Sequence, residues 1–175
     1  MKEQELYFKG NQELLNYPKT AFFCSRNTPA TVISKSYDWA IDQKNKGNCI
    51  ISGFHSQIER DVLHFLLKGE QPIIMVLARS MYKRLPDKEF KAGIDKGNLL
   101  LVSSFRENVK RASSSTAQKR NVLMIDLADD IMVAYASKGG SISKLLPQMK
   151  ASHKMLYTLD VEENDNLLHA GFSTV

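Results

Sequence analysis

Residues 72–78, PIIMVLA, and residues 99–103, LLLVS, decide the fold. Each is an unbroken apolar run of strand length, without the in-out alternation of a strand that has one face in water. Such runs belong to strands buried on both faces, as in a parallel sheet covered by helices. Outward from them, residues 20–24 (TAFFC), 48–52 (NCIIS) and 130–136 (DIMVAYA) read as further strands, and 155–159 as a sixth. Helical spacing fills the intervals. Val32, Ile33, Tyr37, Ala40 and Ile41 share one face of a helix over 29–46 that Gly47 closes, and Ile58, Val62, Phe65 and Leu66 share one face of a helix that Gly69 ends. Residues 117–128 read as a helix, and Ser137, Gly139 and Gly140 introduce the last one. This alternation predicts an α/β domain with an open, mostly parallel sheet and helices on both faces.

The chain has 175 residues, 43% hydrophobic and 25% charged, which is the composition of a single globular domain over 1–175. Residues 1–19 are expected as a lead-in and 160–175 as an acidic peripheral tail. The longest apolar run is far short of the roughly 20 residues needed to span a bilayer. The opening MKEQEL lacks the apolar stretch of a signal peptide, so a cytoplasmic location without membrane association is expected. Cys24 and Cys49 are too few for a disulfide framework and read as buried thiols. The net charge of +5 is uneven, because residues 79–120 carry eleven Lys/Arg against four Asp/Glu, and the rest of the chain sums to −2. A basic segment of that kind is a footprint for phosphates, or simply a solvated basic face.

Ligands of open parallel sheets bind outside the carboxyl ends of the strands. The residues there are small and polar: Ser25-Arg26-Asn27 after the first strand, Ser52-Gly53-Phe54-His55-Ser56 after the second, Ser137-Lys138-Gly139-Gly140-Ser141 after the fifth. These three loops meet in one crevice if their strands end side by side. Glycine permits close backbone approach, and helix starts favour anions, so phosphate is the natural guest. The chain contains neither GxGxxG nor GxxxxGK[ST], which removes the usual dinucleotide and P-loop signatures, and no cofactor is expected. His55, His64, His153 and His169 lack paired-ligand spacing, so no metal site is expected; His64 falls within an apolar helix pattern and reads as packed. Asp129 and Asp130 precede a strand, at the opposite end of the sheet from the crevice, and read as a turn.

Taken in order, Tyr7-Phe8-Lys9-Gly10-Asn11, Ser25-Arg26, Ser52-Gly53 with Ile58-Glu59, Arg120-Asn121 and Gly139-Gly140-Ser141 resemble the DNA-processing protein A (DprA/Smf) family over residues 7–149. That family's pattern is an aromatic-Arg-Gly-Asn lead-in, then GSR, SGxARGID, RNR and SGS. The resemblance implies a Rossmann-like fold. It also implies single-stranded DNA binding and, in full-length members, delivery of that DNA to a RecA-type recombinase during DNA uptake (natural transformation), with self-association into a homodimer. The site residues it implies are Ser25, Arg26, Ser52, Gly53, Glu59, Arg120, Asn121 and Ser141, joined by Lys138, Gly139 and Gly140 of the same loop. Arg26, Arg120 and Lys138 are the expected phosphate contacts, since arginine engages phosphate through two parallel N–H bonds.

The departures also carry information. Cys24 replaces the first glycine of GSR, Ser56 and Gln57 replace the Arg-Gly of SGxARGID, and Val122 replaces the second arginine of RNR, so two cations of the family pocket are missing. Neither the winged-helix nor the helical domain that many members carry is expected within residues 1–175. The alternative reading is a sensor or hydrolase for a nucleotide or nucleoside phosphate in the same crevice, with Glu59 as the candidate general base if it faces inward rather than lying on an exposed helix face. Tyr82, Phe90 and Phe105, in the basic segment, are either base-stacking residues or core.

Overall fold

The computed structural model describes residues 5–175; the first four residues of the expected lead-in lie outside the described residues. Eight strands form one sheet. They are β1 (Tyr7–Gly10), β2 (Lys19–Cys24), β3 (Cys49–Ser52), β4 (Ile73–Leu77), β5 (Leu99–Ser103), β6 (Asp130–Tyr135), β7 (Met155–Thr158) and β8 (Ser173–Thr174), in the order β1-β5-β4-β3-β2-β6-β7-β8. Every pairing is parallel except that of β1 with β5. The α/β architecture with an open, mostly parallel sheet is therefore as expected.

The helices are α1 (Ala30–Lys46), α2 (Gln57–Leu67), α3 (Lys88–Lys96), α4 (Ser114–Leu127), α5 (Leu146–Ala151) and α6 (Asp165–His169). Successive strand residues serve opposite faces. In β4, Ile73, Met75 and Leu77 join Phe22, Trp39, Val62 and Phe90 in the core under α1, α2 and α3. Ile74 and Val76 join Phe23, Met124 and Met149 in the core under α4 and α5. Both faces of β4 are dry, which is why its sequence shows no alternation. Cys24 and Cys49 are buried free thiols, each pushed up to about 12, first by desolvation.

Helix boundaries follow their caps. Gly47, in the left-handed region at φ 74°, ends α1 as anticipated. α4 begins three residues before the expected position, since Ser113 and Thr116 form a reciprocal capping box that uses threonine where the usual pattern has Glu or Gln. α3 lies in the basic segment between Asp87, which accepts from Phe90 N at 2.9 Å, and Gly97. His64, expected to be packed, is exposed on α2 at 3.8 Å from Glu89, because the apolar stripe beside it is filled by Leu63 and Phe65. Asp129 does mark the amino-terminal end of the sheet, accepting from Lys19 N at 2.8 Å.

Two edges differ from expectation. Residues 7–10, read only as a lead-in, form the antiparallel edge strand β1, too short and mixed in polarity to show a period. Residues 160–175, read as a peripheral tail, are folded against the sheet: Asn164 and Leu167 are fully buried, Phe172 nearly so, and β8 extends the sheet beyond β7. Their acidic residues occupy the exposed positions between those anchors. Leu167→Ala should therefore cost about 3 kcal/mol in denaturant unfolding, the range for a buried leucine, whereas a peripheral tail would give under about 0.5 kcal/mol.

Candidate functional site

Strands β2, β3, β4 and β5 run outward in one direction and β6 and β7 in the other, so the order reverses between β2 and β6. That reversal opens a crevice at the strand carboxyl ends. The three loops singled out in the sequence converge there, on a cavity of about 510 Å³ that also takes part of α4.

Ser25 holds the floor. It is buried; its Oγ accepts from Ser137 N at 2.9 Å and lies 3.3 Å from Ser137 Oγ, while its own N–H donates to Tyr135 O at 3.0 Å. The ladder between β2 and β6 slips at Phe23/Cys24, which spreads the strand ends just before this tie. The loop after β6 turns back at Gly139 (φ 72°), and Gly140 and Ser141 line the cavity wall. Lys138 and Gly139 sit on the exposed outer side of that turn, off the wall.

The second loop is governed by Glu59. Its Oε1 accepts from Cys24 N at 3.2 Å, and its Oε2 from His55 N at 2.7 Å and Ser56 N at 3.1 Å. In return Ser56 Oγ accepts from Glu59 N at 3.2 Å, completing the cap of α2. Glu59 is thus neither an exposed helix carboxylate nor a free base: it faces inward, but both oxygens are occupied by three backbone amides. Ser52 is also diverted. It is fully buried, and its hydroxyl donates to Phe22 O at 2.8 Å and accepts from Phe54 N at 3.3 Å, so it ties β3 to β2 instead of facing the cavity. Phe54 pays for this tight path with φ 47°, an uncommon value for a bulky residue.

Arg120, from α4, lies against the same loop. Its guanidinium packs on Gly53 so closely that a Cβ there would fall 1.7 Å from Nη1. Only 6% of the residue is exposed, and burial pulls its pKa down, against the pull of Glu59. Nε donates to Asn121 Oδ1 at 2.8 Å, whereas Nη1 and Nη2 have no hydrogen-bond partner among the described residues. These free N–H groups open onto the cavity, where they can donate to an anion or to water. Arg26 is exposed at the cavity mouth, with Nη2 3.0 Å from His55 Nε2. Since arginine only donates, Nε2 accepts, which makes His55 the neutral tautomer protonated on Nδ1. Its pKa is lowered from 6.5 by burial first, then by Arg120 and Arg26, with Arg60 adding to the effect and Glu59 opposing it.

The crevice thus gathers Ser25, Arg26, Glu59, Arg120, Asn121, Gly140 and Ser141; Ser52 and Gly53 support it from behind. Sequence reasoning did not select His55, Ser114, Gln118 or Lys144, which line the same cavity. His55 stood within a quoted loop, but its electrostatic surroundings depend on three arginines gathered from the loop after β2, from α2 and from α4. From the basic segment, Phe90 and Phe105 are core, whereas Tyr82 is half-buried under Arg79. Arg84, Lys88, Lys110, Arg111 and Lys119 have no carboxylate at ion-pair distance among the described residues. Among the described residues no group of three or more His, Cys, Asp or Glu could hold a metal ion, and no helix is long and apolar enough to cross a membrane.

A family model described as DNA recombination-mediator protein A matches residues 3–166. The chain belongs to that family. No curated protein sequence matches it. Among solved structures, this DNA recombination-mediator family member is similar to the DNA processing protein A of Helicobacter pylori, for which a single-stranded DNA binding mode is described, at TM-score 0.81 and 20% identity over 99% of this chain and 84% of that one. It is equally similar in fold to DNA processing protein A from Streptococcus pneumoniae, at TM-score 0.81 and 18% identity over 97% of this chain, and spans 62% of that protein's length. A molybdenum cofactor binding protein from Rippkaea orientalis shares the fold more loosely, at TM-score 0.60 and 11% identity over 89% of this chain and 83% of that one. The Rossmann-like core expected from the motifs is thereby established for this member of the family.

Glu59→Ala should lower stability by about 3 kcal/mol or more, since it strands three amides and leaves Arg120 without its nearby opposing charge. Urea unfolding checks this; a loss below about 1 kcal/mol would show the carboxylate to be dispensable.

Proposed function

We propose that this chain binds single-stranded DNA, holding a backbone phosphate in the crevice between β2 and β6, and serves DNA processing during uptake and recombination. The observation that carries the reading is Arg120: a buried cation with unspent N–H groups, facing a cavity floored by serine and glycine and flanked by Arg26. An arginine ending in such a cavity recognises a planar or tetrahedral oxyanion, and the unpaired Arg84, Lys88, Lys110, Arg111 and Lys119 add positive charge that favours a polyanion. Family membership and the similarity to the Helicobacter pylori protein support the choice of DNA over a single small anion. Within the same proposal, the protein acts in the cytoplasm as a homodimer and passes its strand to a RecA-type recombinase. Arg26, Arg120, Asn121, Gly140 and Ser141 are the proposed contacts; Lys138 and Gly139 approach from the outer turn, and Ser25, Ser52, Gly53 and Glu59 shape the loops.

Fluorescence anisotropy of a labelled oligothymidylate tests this, with duplex of the same length alongside. Binding should prefer the single strand and weaken steeply with salt, the slope of log K against log salt being about −0.7 for each phosphate neutralised. Arg26→Ala should flatten that slope by about one such step. Arg120→Met keeps the volume and removes the charge; affinity should fall at least about tenfold in a variant that circular dichroism shows to be folded, at some cost in stability because Asn121 Oδ1 loses its donor and Glu59 its nearby opposing charge. Unchanged binding in both variants would remove the crevice from the function.

The pH dependence has two opposite signs. His55 has a folded-state pKa below its ordinary 6.5, so its contribution to stability is present above that value and lost as pH falls through the folded pKa. Protonation meanwhile adds a positive charge beside Arg26, Arg60 and Arg120, so affinity for oligothymidylate should rise over the same interval. Thymine does not titrate there, and His55→Gln should flatten both curves.

A further inference from the structure

Arg120 and His55 have a second side. Beyond them, between α2, α3 and the carboxyl end of β4, lies another cavity of about 350 Å³, and these two residues line both. Its floor is apolar, made by Leu63, Leu67, Met75 and Leu77. At its rim the Arg79 guanidinium lies 4.8 Å from the centre of the Tyr82 ring. The side walls carry opposite charge: His55, Arg60 and Arg120 from the α2 and α4 side, Asp87 and Glu89 from the start of α3.

We propose that this cavity is a nucleobase subsite, taking the base of a nucleotide whose phosphate lies on the ridge formed by His55 and Arg120. The volume falls within the range of about 300–1,000 Å³ usual for small-molecule sites. An apolar floor suits a planar base, and the rim offers an aromatic ring and a guanidinium, the two kinds of surface on which unpaired bases stack. The polarity across the cavity fixes the direction of entry: a phosphate is drawn to the arginine wall and repelled by Asp87 and Glu89, which turns the base inward over the leucines. Arg120 is the physical link. Ninety-four per cent of it is buried, with Nη1 and Nη2 unpartnered among the described residues, so one guanidinium can serve a strand that occupies the crevice on one side and the cavity on the other. The inference rests on the crevice being a single-stranded DNA site and adds a second point of purchase to it.

The test pairs a chemical change in the strand with one in the protein. Short oligothymidylates, just long enough to bind, carry a single abasic nucleotide at each position in turn, and anisotropy gives their affinity for the wild type and for Leu67→Trp, which fills the floor. In the wild type one abasic position should cost about tenfold, the loss of one stacked base. In Leu67→Trp the intact oligonucleotide should bind as weakly as that abasic one, and the same abasic change should cost nothing more. Tyr82→Ala, at the half-exposed rim, repeats the comparison if the tryptophan variant melts early. Equal abasic penalties in wild type and variants, in a protein that binds the strand and loses it with Arg26→Ala, would overturn the subsite alone. Absence of any binding by the wild type would overturn the crevice reading and the subsite with it.

Discussion

One carboxylate sets the geometry of the strand ends. Glu59 takes an amide from the last residue of β2 and two from the loop after β3, and so clamps two chain segments that would otherwise fray independently. The end of β2 and the loop after β3 are positioned through it. The turn of Gly53 and Phe54 is held in a strained path, Ser56 is fixed as the cap of α2, and His55 is presented toward Arg26. Around this clamp, serines perform a repeated service: Ser52 donates to the carbonyl of Phe22 on β2 and accepts from the amide two residues on, and Ser103 at the end of β5 donates to Arg79 O in the loop after β4 and accepts from Phe105 N. Polar residues at strand ends thus close the sheet.

These ties explain which parts of the site could be read in the sequence. The doubly buried strands announce themselves, since an unbroken apolar run such as IIMVL has few other uses. The three loops were legible as candidates from their small polar residues, but their meeting depended on a strand order, β3-β2-β6, that only the structure supplies. What the sequence hides is direction. Ser25 and Ser52 look alike as small residues after a strand, yet one floors the cavity and the other is spent on a backbone carbonyl. Glu59 looks like a general base or a surface charge until its three amide partners are seen. The arginine environment of His55 is gathered from positions as far apart as 26 and 120, and no local pattern encodes it. At the sheet edges, β1 and β8 are held by pairing and by a few anchors such as Phe172, so their short sequences carry too little periodicity to be seen.

The departures from the family pattern take on physical meaning in this frame. Ser56, where the pattern has arginine, is the cap that completes the Glu59 box, so the position exchanges a cation for a firmer helix start. Cys24, where the pattern has glycine, donates its amide to Glu59 and buries its thiol. The crevice therefore carries fewer positive charges than the family pattern, and the desolvated Arg120 sits in a lower dielectric than an exposed lysine would.

The contact between Gly53 and Arg120 also constrains how this sequence can drift. No side chain at 53, however small, coexists with the guanidinium in its present place, and the arginine is the larger partner. Descendant sequences should change these two positions together or not at all, so that a residue other than glycine at 53 marks a chain whose residue at 120 has shortened or swung away. In such a lineage the wall between the two cavities is gone, and the altered pair, read from sequence alone, would flag a relative that holds its ligand by another route.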